Sequence, residues 1–94
     1  MFKTMNDVML PLTQHAKNKI AIYGISEQDI ATGLSETFLD CEDVIEKSGF
    51  KGFIIRSLPF IAVISIETNK IITVYRTDST TINNRRRSGR WDCQ

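Results

Sequence analysis

Lys51-Gly52-Phe53-Ile54-Ile55-Arg56-Ser57-Leu58, Phe60-Ile61-Ala62-Val63-Ile64-Ser65-Ile66-Glu67 and Lys70-Ile71-Ile72-Thr73-Val74-Tyr75-Arg76 follow one another almost without a gap. All three are rich in Ile, Val, Phe and Thr, the residues that fit a pleated, half-buried surface. Leu58-Pro59 and Thr68-Asn69 separate them as turn signals. Connections this short join antiparallel neighbours, because a parallel pair needs a long crossover. In the middle run, Phe60, Ala62, Ile64 and Ile66 alternate with Ile61, Val63 and Ser65. That strand is apolar on both faces and is expected at the centre of the sheet. A weaker strand is expected within 38–47, which makes a four-stranded antiparallel meander.

Upstream the period changes to that of a helix. Thr13 stands as an N-cap, and Ala16, Ile20 and Tyr23 fall on one face. Gly24 supplies a left-handed stop, so the first helix is expected over 14–23. Ser26 with Asp29 three residues later makes a capping box, with Asp in place of the usual Glu. Ile25 and Ile30 sit where a hydrophobic staple joins them, and the second helix is expected to end near Ser35. A helical hairpin packed on an antiparallel meander is an α+β fold.

The chain has 94 residues, enough for one domain and one modest core. No run approaches the roughly 18 apolar residues of a membrane span. The first ten residues lack a long apolar core after a basic start, so no signal peptide is expected. The single histidine, His15, excludes multi-histidine metal sites. Cys41 and Cys93 are far apart without a CxxC partner, which argues against zinc. They could form a disulfide, but free thiols in a reducing compartment are the expectation. No cofactor or metal is expected.

Charge is unevenly divided. Residues 1–46 hold three bases against eight acids, and residues 47–94 hold nine bases against three acids. Such a split suggests a basic surface with an anionic partner. The strongest signal is Arg85-Arg86-Arg87-Ser88-Gly89-Arg90-Trp91. Arginines displace counterions from phosphates, and an aromatic stacks on a base. The bland alternative is a solvated tail. Segment 77–94 is expected as a polar, arginine-rich end, with Trp91 docked because its exposure to water is unfavourable.

His15-Ala16-Lys17-Asn18-Lys19-Ile20-Ala21-Ile22-Tyr23-Gly24-Ile25-Ser26, followed later by Thr73-Val74-Tyr75-Arg76, resembles a small domain family of unknown function. That family is similar to the barnase/EndoU/colicin/RelE (BECR) group of toxin-like ribonuclease domains. Lys17 and Lys19 stand where such members often have Arg. The resemblance covers about residues 12–78. It implies a RelE-like fold and metal-independent cleavage of RNA, transfer RNA included, through attack of a ribose 2′-OH and a 2′,3′-cyclic phosphate product. It further implies action in a bacterial cytoplasm, delivery as the C-terminal domain of a larger secreted toxin, and an acidic immunity or antitoxin protein as partner.

Such chemistry needs a base, an acid and a cation over the phosphorane. His15 is the proton-transfer candidate, since histidine is the side chain type whose unperturbed charge change falls near neutral pH. Arg56 and Arg76 are the phosphate candidates, Tyr75 is an acid or a stacking platform, and Thr80 is a hydrogen-bond donor. Lys17, Lys19, Arg85, Arg86, Arg87, Arg90 and Trp91 are the RNA-binding candidates. Each also has a structural reading: a packed histidine, edge arginines paired with acids, a half-buried core tyrosine, and turn threonines. The competing functional reading is a non-catalytic binding protein, such as a phage-type inhibitor of a nucleic-acid enzyme.

Overall fold

A computed structural model describes residues 10–43, 45–89 and 91–93. Thr13 caps helix α1, Gln14–Tyr23, by accepting from the Ala16 backbone N–H. Its hydroxyl also donates to the Ile72 carbonyl at 2.9 Å. Gly24 ends the helix at φ 71, a conformation that suits glycine. Helix α2, Glu27–Leu34, opens with the full capping box between Ser26 and Asp29. The two helices bury Ala16, Ile20 and Ile30 against the sheet. Gly33 permits that approach, because a Cβ there would collide with the Phe53 ring.

The sheet has five antiparallel strands, not the four expected. They are β1 Leu39–Asp43, β2 Ser48–Ile55, β3 Leu58–Ser65, β4 Ile71–Arg76 and β5 Trp91–Cys93, ordered β4-β3-β2-β1-β5. The first four form the expected meander. The fifth comes from the segment read as a polar tail. That segment also holds helix α3, Ser79–Arg87, capped by Asp78. A stretch of low mean hydropathy folds here because Ile82 and Trp91 are buried in a hydrophobic cluster, with Cys93 packed against it.

Two turns moved. The β2–β3 reversal lies at Arg56 and Ser57, both in the left-handed region at φ 51 and 69. A two-residue hairpin favours such a primed turn because it matches the strand twist. Leu58 and Pro59 belong to β3, paired with Ile55 and Ile54. Pro59 is tolerated because its polar backbone faces away from β2, where its carbonyl accepts from Thr77 N–H at 3.1 Å. The β3–β4 connection turns through residues 66–68, with Asn69 at φ 61.

The sheet separates two cores. On one face Phe53, Ile55, Phe60, Ala62, Ile64, Ile71 and Val74 meet α1 and α2. On the other, Leu39, Cys41, Phe50 and Ile61 meet Ile82 and Trp91. A bulge in β4 between the Val63–Thr73 and Ile64–Ile71 pairs flips Ile71 into the first core. Ile71 therefore does not share a face with Tyr75, contrary to simple alternation. Cys41 and Cys93 are directly opposed on β1 and β5 and are joined in a disulfide. This corrects the expected free thiols. Their partnership was invisible because β5 was not anticipated.

Candidate nucleic-acid interface

The chain leaves β4 at one edge of the sheet, crosses its face as α3, and joins the opposite edge as β5. Ile82 is the one buried residue of α3 and seats it on the second core. With Ile82 facing inward, the remaining side chains of the helix are exposed. Arg85, Arg86 and Arg87 fill its last turn, where cations complement the carbonyl end of the helix. None of the three has an ion-pair partner among the described residues.

Tyr75 belongs to the same side of the sheet. It packs half-buried against the second core, and burial raises its hydroxyl pKa. The nearby Arg85 guanidinium pulls in the other direction more weakly. The phenol therefore keeps its proton at neutral pH. Thr80 is exposed in the first turn of α3, and Asp78 beside it is held as a carboxylate by the Thr81 backbone N–H, which donates at 2.7 Å.

The other candidates are dispersed. His15 is exposed in the first turn of α1, on the opposite side of the sheet from α3. Arg56 reaches the far end of that helix, donating to the Gly24 carbonyl at 3.4 Å and to Asp29 at 3.5 Å. Nine residues of helix rise separate His15 from Gly24, roughly 13 Å. Alternation places Arg76 on the Val74 side, away from Tyr75. His15, Arg56, Tyr75 and Arg76 thus do not converge on one cleft. Lys17 is exposed on α1, and Lys19 lies 5.5 Å from the Tyr23 ring centroid. Both sit across the sheet from the α3 arginines.

Trp91 does not serve as an exposed stacking platform. It is 6% exposed and stacks on Phe50 at 4.8 Å. Arg90 lies outside the described residues. What sequence reasoning missed is that the arginines stand on a helix, with Tyr75 beneath it. The signal was available: Asp78 three residues before Thr81 is a capping pattern.

The opposite face carries both signs of charge, Lys17 and Lys19 on α1 and Asp29 on α2 among them. Asp40, Glu42 and Lys51 border a depression of about 230 Å³, floored partly by Ile64 and Ile66. Lys51 pairs with Asp40 at 3.0 Å. None of the predicted site residues lines it. No helix among the described residues is long and apolar enough to cross a membrane. Comparison with known proteins gives no significant match to any family model, curated protein or solved structure.

Proposed function

We propose that the domain binds RNA through the α3 face. The observation that carries this is the row of exposed arginines at Arg85, Arg86 and Arg87, without an ion-pair partner among the described residues, on a helix seated across the sheet. Their guanidinium groups suit phosphate oxygens, and binding would release counterions. A basic helix of this kind also fits an acidic protein, and competition between such a partner and RNA would reveal it.

The test is RNA affinity across a salt series. Wild type should bind single-stranded RNA with a steep salt dependence. The Arg85→Ala/Arg86→Ala/Arg87→Ala variant should bind weakly, with the slope of log K against log salt reduced by about 2, since each single-strand phosphate contact contributes about 0.7. An unchanged slope in a folded variant refutes the assignment.

A second reading is the metal-independent ribonuclease of the BECR type. Tyr75, a protonated phenol beside Arg85, is what favours it: an acid next to a phosphate-holding cation. On this reading RNA is cut in EDTA to a 2′,3′-cyclic phosphate. Tyr75→Phe abolishes cleavage, and His15→Ala leaves it intact because His15 lies across the sheet. RNA bound but uncut by the wild type would leave the binding function alone.

A further inference from the structure

β5 is three residues long and, among the described residues, lies at the sheet edge and pairs with β1 alone. So short an edge strand has few ladder hydrogen bonds of its own. It nevertheless delivers Trp91, which closes the second core over Phe50. The indole N–H is buried with no acceptor among the described residues. The covalent tie to β1 is the Cys41–Cys93 disulfide. Its two ends differ in access: Cys41 is 0% exposed, and Cys93 is half-buried.

We propose that the Cys41–Cys93 disulfide is a thiol-operated latch, attacked at Cys93, whose opening frees β5 and Trp91 from the sheet while the rest of the fold persists. The agent is a dithiol reductant. Its thiolate bonds to Cys93 Sγ, and the protein S–S bond breaks with its electron pair on the Cys41 sulfur, which takes up a proton. The second thiolate of the reagent then displaces the Cys93 sulfur, which takes up the other proton. Two electrons and two protons have moved, leaving two protein thiols and an oxidised reagent.

The rest of the fold persists because the first core contains no residue of β5. β1 also stays paired with β2 over five positions. The consequence reaches α3, which holds the sheet by Ile82 and is followed by β5 after residues 88–90. Opening the latch removes the anchor beyond its arginine turn. A chain passing from an oxidising to a reducing compartment would meet such a reductant on arrival. The latch stands whether or not the domain binds RNA.

Trp91 is the sole tryptophan and reports directly. Dithiothreitol should release two thiols, shift the emission to the red and raise acrylamide quenching severalfold, with most of the far-ultraviolet dichroism kept. Reoxidation should reverse the change. The Cys41→Ala/Cys93→Ala variant should show the open signal without reductant. Early acid quenching of a reaction with glutathione should trap the adduct on Cys93 by peptide mapping. Two free thiols with unchanged Trp91 emission overturn the latch. So does loss of all dichroism on reduction, which would make the bond a staple for the whole fold. An adduct on Cys41 overturns the order of attack.

Discussion

At Thr13 one hydroxyl does two jobs. It accepts from Ala16 N–H at 3.2 Å and donates to the Ile72 carbonyl at 2.9 Å, joining the start of α1 to the bulge of β4. Thr13→Ala should lower stability by about 1–2 kcal/mol in denaturant melts, and Thr13→Ser should recover most of it. The cap was legible from the sequence, because Thr precedes the first helical apolar position. Its bond to Ile72 was not, since 59 residues separate the two. Asp29, at the third position of α2, accepts from the N–H of its N-cap Ser26, and Asp78 plays the N-cap role of Thr13 with a charge. Each is held below its ordinary value of 3.8, chiefly by a backbone N–H, from Ser26 and Thr81 respectively. A carboxylate with a lowered folded pKa stabilises the fold fully above its unfolded pKa and loses that contribution as pH falls through the folded one. The melting temperature should therefore hold from neutrality toward pH 5 and fall below about pH 4. Asp29→Asn with Asp78→Asn should flatten that acid limb.

Among the elements, those with their own periodicity were read correctly. α1 follows from Thr13, the apolar face and Gly24, and α2 from its capping box. The strands β2 to β4 follow from their composition, within a few residues at each end. The hairpin at Arg56-Ser57 was misplaced because Leu58-Pro59 carries the stronger turn chemistry, while closure of two strands decided otherwise. α3 was missed although Asp78 offered its N-cap, because its only apolar contact is Ile82, and β5 was missed because only pairing with β1 and the burial of Trp91 explain it. β5 also carries a repulsive feature. Glu42 and Asp92 are directly opposed on neighbouring strands, and both are exposed. Like charges so placed destabilise a ladder. Asp92→Lys should raise stability by about 0.5 kcal/mol at low salt, and the gain should shrink as salt screens the pair. A gain independent of salt would point to strand propensity as its source.

For the whole molecule, the arginine run seen along the chain becomes a basic helix turn on one side of the sheet. Asp29, Asp40 and Glu42 fall on the side of α1 and α2 together with Lys17, Lys19 and Lys51, and Arg85, Arg86 and Arg87 stand on the side of α3. The sequence showed the charges but not the sheet between them. That is why His15 and Tyr75, joined on paper in one site, stand on opposite sides. The proposed anionic partner rests on the arginines alone, and the proposed chemistry on it would require Tyr75 in addition. The most direct test is to titrate a short single-stranded RNA into labelled protein at low salt and follow backbone amide shifts. Changes confined to Ser79–Arg87 and the neighbouring Tyr75, with Ala16 to Tyr23 undisturbed, are the predicted result. Shifts centred on α1, or none at all, would contradict the α3 face as the binding surface.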